Sequence, residues 1–124
     1  LESDLVWDFK REQAPKPFVF ATADLGGAPN AIYVTCIRLY DDNTILIADN
    51  YFNKTRANIA AGGKGAVLFI TGERKAYQVK GTVTYHTGGP YRDFMRECLD
   101  PKYPVVGVAA LAVEEIYSGA ERLL

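Results

Sequence analysis

The chain has 124 residues, 48% hydrophobic, 23% charged and 12% aromatic, a length that suits one folded domain spanning 1–124. Its 14 basic and 15 acidic side chains leave a formal net charge of −1, a balance that argues against a dedicated nucleic-acid or anionic-membrane binder, which needs surplus Lys and Arg. The apolar content is too high for disorder, and no unbroken apolar run approaches the ~20 residues that span a bilayer. Leu1 to Arg11 mixes Glu2, Asp4, Asp8, Lys10 and Arg11 with apolar residues, which is no secretory pattern, so a cytoplasmic protein is expected. Cys36 and Cys98 lack metal-ligand spacing and read as reduced, partly buried thiols; no metal site is expected.

The first element is a short amphipathic helix from Ser3 to Arg11, with Leu5 and Phe9 four apart and Ser3 as its cap; Pro15 and Pro17 lie beyond it. Phe18 to Ala23 reads as a strand, and Asp24-Leu25-Gly26-Gly27 as a hairpin turn supplying positive-φ positions. A second strand runs from about Asn30 to Tyr40, Asp41-Asp42-Asn43 turns, and Thr44 to Ala48 follows as a third. Asn50 to Ala61 then takes on helical texture, closed by Gly62-Gly63. The Gly62-Gly63-Lys64-Gly65 string follows a helix, whereas a phosphate loop precedes one, so it reads as a turn. Strands over Ala66–Ile70 and Ala76–His86 come next, the latter alternating Tyr77, Val79, Gly81, Val83 and Tyr85 with polar residues. Pro90 opens a second helix whose apolar face carries Tyr91, Phe94, Met95, Cys98 and Leu99. Pro101 and Pro104 break it, and a last strand runs from about Val105 to Tyr117 before a tail ending in Leu123-Leu124. Five or six strands at hairpin spacing imply a mainly β fold, a small antiparallel barrel with short flanking helices. Links of two to four residues exclude a doubly wound parallel sheet.

The stretch richest in chemistry is Asn53-Lys54-Thr55-Arg56-Ala57-Asn58, between a strand and a helix. A helix start offers unpaired amides and the positive end of a dipole, so it suits phosphate. Lys54 adds a charge, Thr55 a hydroxyl, and Asn58 lies one turn on. By spacing alone, an ordinary solvated helix start capped by Asn53 is the commoner reading. His86 reads as a boundary residue more readily than as a proton donor. Neighbours on a strand point to opposite faces, so neither of the adjacent acid pairs, Glu114-Glu115 and Asp41-Asp42, readily makes a two-carboxylate site. Eight tyrosines and a tryptophan on a barrel suggest base stacking, but a stacking platform sits in a basic groove, which this charge balance opposes.

Two strings carry a family likeness: Asn53-Lys54-Thr55-Arg56-Ala57-Asn58-Ile59, and Val79 to Pro90 with its Lys80-Gly81 and Thr87-Gly88-Gly89-Pro90. With the Asp24-to-Thr35 hairpin and the Val113-to-Tyr117 strand, they make the chain resemble the pyridoxamine 5′-phosphate oxidase-like FMN-binding split β-barrels, in particular the short bacterial FMN-binding members. The resemblance implies a Greek-key-like split barrel and a homodimer with FMN in grooves between subunits. Lys54 and Thr55 would hold the 5′-phosphate, with Asn58 beside it. Tyr33, Val34, Thr35, Cys36, Ile47, Ala48, Asp49 and Asn50 would line the ring and ribityl chain, an apolar slot with polar edges being what a flavin needs. The partner subunit would cover the ring with its Pro101-to-Val105 region or its Leu123-Leu124 tail. The sequence departs from the oxidases proper, whose C-terminal segment is longer and rich in Arg and His; with His86 as the single histidine, vitamin B6 oxidation is not expected. Relatives that meet the phosphate with two cations leave Arg56 and Arg38 as candidates for the second. Two function classes follow from the resemblance. One is a redox protein or small oxidoreductase fed by NAD(P)H or a protein donor; the other is a binding module for FMN, a deazaflavin or a haem-related ligand.

Overall fold

Hairpins organise the chain, and their registers fix which side chains meet inside. The computed structural model describes residues 17–52, 54–60, 63–71 and 74–124; the helix expected over Ser3 to Arg11 lies outside them. Strands β1 (Phe18–Ala23) and β2 (Pro29–Val34) form the first hairpin, β3 (Ile37–Asp41) and β4 (Thr44–Asp49) the second. Helix α1 (Lys54–Ala60) leads into a third hairpin of β5 (Lys64–Ile70) and β6 (Ala76–His86). Helix α2 (Pro90–Cys98) then precedes β7 (Gly107–Ser118), onto which β8 (Glu121–Arg122) folds back. The strands join one antiparallel sheet in the order β2-β1-β5-β6-β7-β4-β3. It curls into a half-barrel, the split-barrel architecture expected from the sequence.

Period-2 alternation puts Phe18, Phe20, Ile45, Ile47, Val67, Phe69, Val79, Leu111 and Ile116 into the barrel interior. There Phe18 stacks on Phe69 with ring centroids 4.8 Å apart. A second buried cluster forms where α2 covers the outer face: Leu46, Ala48, Val108 and Ala110 pack against Met95 and Leu99. This is why β4 is a continuous apolar run, since both its faces are covered. Met95 is fully buried, and such a side chain contributes roughly 1.5–3 kcal/mol relative to an exposed one.

Three expectations need correction. The run from Asn30 to Tyr40 is not one strand. It breaks at Thr35-Cys36, where the chain steps from β2, paired to β1, to β3, paired to β4, at opposite ends of the sheet order. Lys64 and Gly65 are not a turn but the start of β5, opposite Thr82 and Gly81. Sheet pairing overrides the turn preference of glycine, and Lys64 Nζ is held at 2.9 Å by both Thr82 Oγ1 and Glu114 Oε1. Cys98 is exposed, because α2 meets the sheet through Met95 and Leu99; Cys36 is buried, and both thiols are free.

The Lys80-Gly81 pair has a structural reason. Lys80 opposes Glu115 while Gly81 opposes Val113, so Glu114 is the extra residue of a β-bulge. A Cβ on Gly81 would lie 1.9 Å from the carbonyl oxygen of Ala112, a distance no side chain tolerates. The bulge turns Glu114 towards Lys64 and Thr82, while Glu115 accepts from the Tyr117 hydroxyl at 2.9 Å, so the two acids serve separate partners.

Candidate functional site

Two cavities share the same pair of walls. The first, about 270 Å³, is lined by Ile32 to Cys36, Ala48, Asn50 to Phe52, and Tyr103. The second, about 300 Å³, is lined by Asp24, Ala28, Pro29, Asn30, Lys54, Ala57 and Asn58. Strand β2 gives Pro29 and Asn30 to one and Ile32 to Val34 to the other. The stretch from β4 into α1 divides in the same way, with Asn50 to Phe52 in the groove and Lys54, Ala57 and Asn58 at the cleft. Residues two apart on a strand are separated by roughly 7 Å, so the cavities are neighbours along β2.

Of the residues expected to bind a ligand, Tyr33, Val34, Thr35, Cys36, Ala48 and Asn50 fall together in the groove, and Lys54 and Asn58 in the cleft. Ile47 does not join them, because its side chain points into the barrel interior. Asp49 is wholly buried beneath the groove wall. Thr55 turns inward, its Oγ1 accepting from Asn30 Nδ2 at 2.8 Å. Asn58 Nδ2 likewise donates to Thr22 Oγ1 at 3.0 Å. These two bonds lash α1 to the first hairpin. What Thr55 can present to an anion is its backbone amide in the first helical turn.

The most connected group is Asp49. Its carboxylate accepts from Phe52 N–H at 2.9 Å, from Arg56 Nε at 2.7 Å, from Arg56 Nη2 at 3.1 Å and from the Tyr85 hydroxyl. Burial pushes its pKa up, but the bonds from Arg56, Tyr85 and Phe52 outweigh burial and hold it below the ordinary carboxylate value. Burial together with the Asp49 charge raises the Tyr85 phenol. Arg56, proposed by sequence as a second phosphate cation, is therefore paired with Asp49 and absent from the cleft lining. Arg38 donates to the carbonyl of Ile37 at 2.8 Å and is in neither cavity lining. His86 sits edge-on to Tyr91 with its Nε2 2.8 Å from Thr84 Oγ1, a boundary position.

Sequence reasoning missed Ile32, Tyr51, Phe52, Tyr103 and Asn30. Tyr51-Phe52 adjoin Asn50 and were within reach of it. Tyr103 lies in the Pro101-to-Val105 region expected over a partner's flavin; the loop between α2 and β7 brings it instead to the groove of its own chain. There Arg96 Nη1 donates to Tyr103 O at 2.7 Å, and Asn50 Oδ1 accepts from Val105 N–H at 3.1 Å. Val105 is held at φ 42°, unusual for a β-branched residue, with its side chain fully buried. Leu123, expected on a partner's flavin, packs against the barrel core of its own chain.

A curled antiparallel half-barrel with two neighbouring cavities beside a short helix is a split-barrel fold. The family model for pyridoxamine 5′-phosphate oxidase matches residues 9–117, and the chain belongs to that family. It is 34% identical over 103 residues to the uncharacterized protein MJ0282 of Methanocaldococcus jannaschii, covering 79% of this chain and 69% of the relative. Among solved structures, HupZ of Group A Streptococcus superposes with a TM-score of 0.81 at 28% identity over 95% of this chain and 94% of that one. An FMN-binding protein from Syntrophomonas wolfei subsp. wolfei shares the fold, with a TM-score of 0.68 at 18% identity over 92% of this chain and 83% of that one. No helix among the described residues is long and apolar enough to cross a membrane.

Proposed function

We propose that residues 1–124 form a single FMN-binding domain that acts in electron transfer or as a small flavin-dependent oxidoreductase, in a homodimer. The observation that carries this reading is the shared-wall pair of cavities: an aromatic groove for a planar ring next to a polar cleft that holds a lysine. Tyr33, Tyr51, Phe52 and Tyr103 offer faces and edges to a ring system, while Thr35, Cys36 and Asn50 offer polar contacts. Lys54, the amides of the first turn of α1, and Asn30 and Asn58 suit a terminal phosphate. Bound FMN would supply one- and two-electron chemistry; the chain's part is to bind and orient it and exclude water from one side. Tyr33 and Tyr51 are 77% and 83% exposed, leaving the groove's outer rim for a second subunit to cover.

A second reading, a binding module for another planar cofactor, is favoured by one feature: the cleft carries the carboxylate of Asp24 as well as Lys54, which opposes a phosphate dianion. The test is titration of the purified protein with FMN, followed by flavin fluorescence and absorbance, beside parallel titrations with a deazaflavin and with haem. FMN binding that weakens at least tenfold in Lys54→Glu and less than twofold in Lys64→Glu supports the first reading. Saturable binding of haem or deazaflavin with no response to FMN supports the second. NAD(P)H-dependent anaerobic bleaching of bound flavin would mark a reductase.

A further inference from the structure

Asp49 stands at a junction. As the last residue of β4 it is fixed in the sheet, opposite Gly107 of β7. Its carboxylate holds the groove wall through Phe52 N–H, helix α1 through Arg56, and β6 through the Tyr85 hydroxyl. Its carbonyl accepts from Val106 N–H at 2.8 Å, fastening the loop that carries Tyr103. The pieces tied together in this way are the groove wall and the helix that bears Lys54. Arg56 follows Lys54 by two residues, about 200° round the helix. It therefore faces away from the cleft, which Lys54, Ala57 and Asn58 line.

We propose that the Asp49–Arg56–Tyr85 cluster is a positioning device that sets the spacing between the groove and the cleft, and so determines how strongly the protein prefers a phosphorylated flavin to its dephosphorylated form. This rests on the two-cavity reading of FMN binding given above. A ligand anchored at two points binds its second point at an effective concentration set by how firmly the two subsites are held relative to each other. Loosening the link leaves each subsite chemically intact and removes the advantage of joining them. The cluster suits that task because its carboxylate is buried and multiply bonded, and because it bridges three elements without lining the cleft. Asp49 and Arg56 act through other residues and are positioning residues.

The test compares FMN with riboflavin, which lacks the phosphate, in fluorescence-quenching titrations at 10 °C on wild type, Asp49→Asn and Tyr85→Phe, with near-UV circular dichroism confirming a native fold. Asn keeps an acceptor for Phe52 N–H and loses the charge that holds Arg56. The riboflavin-to-FMN ratio of dissociation constants is expected to fall at least fivefold in Asp49→Asn while riboflavin affinity stays within twofold. Tyr85→Phe is expected to shift the ratio in the same direction by a smaller factor. Equal weakening of both ligands would mark a general structural role and overturn the proposal. Tighter FMN binding would also overturn it, by making Arg56 a phosphate ligand held back by Asp49. A wild-type ratio near one would overturn the two-cavity reading itself, and this proposal with it. If Asp49→Asn does not fold, Tyr85→Phe decides: an unchanged ratio there overturns the proposal.

Discussion

Gly107 lies under the Tyr85 ring, and replacing it by alanine offers a direct probe of the Asp49–Arg56–Tyr85 cluster. A Cβ at that position would fall 2.5 Å from both Cζ and the hydroxyl oxygen of Tyr85 and 2.9 Å from Cε2. Ordinary contact needs about an ångström more, so the ring must move, and the hydroxyl that bonds Asp49 moves with it. Losing a hydrogen bond to a charged group costs about 1.5–3 kcal/mol, and overpacking a filled site about 1–3 kcal/mol. Gly107→Ala is therefore expected to destabilise the fold by about 2.5–6 kcal/mol, a large part of a typical domain's stability of about 5–15 kcal/mol. Urea unfolding at fixed protein concentration measures it. A double-mutant cycle with Tyr85→Ala isolates the cause, since without the ring the added methyl meets little and should cost less than about 1 kcal/mol. A loss below about 1 kcal/mol in the parent, or the same loss in both backgrounds, would refute the packing argument.

Two further outcomes concern charge and access. Because the folded Asp49 titrates below its ordinary value of 3.8, it contributes stability that is present above that value and lost as pH falls through the depressed folded one. Thermal unfolding between pH 2.5 and 6, on the order of the carboxylate range, should show wild type more stable than Asp49→Asn at the upper end, with the gap closing in acid; a constant gap would contradict it. Cys98 is exposed and Cys36 is 7% exposed within the groove. An aromatic disulfide reagent should therefore react in a fast and a slow phase, and FMN should retard only the slow one. Retardation of the Cys98 phase, or of neither, would place the flavin elsewhere.

The sequence by itself determined the local elements of this protein. Alternation at Phe18 to Ala23 and Ala76 to His86 fixed β1 and β6, and Pro90 fixed the start of α2, because these depend on periodicity and backbone preference within a few residues. The helix that begins at Lys54 was legible in the same way, although by spacing alone its start reads as an ordinary solvated one. Only the tertiary structure decided how its residues divide their work. Thr55 and Arg56 are adjacent in a string that reads as one phosphate cradle, yet Thr55 bonds Asn30 on β2 and Arg56 bonds Asp49 on β4. The break at Thr35-Cys36, the joining of Lys64 to Glu114 and the arrival of Tyr103 at the groove likewise come from contacts between residues far apart in the chain. Such contacts leave no local pattern: a donor is drawn to whichever buried acceptor the sheet brings within reach, and that partner is set by strand order rather than by sequence neighbours.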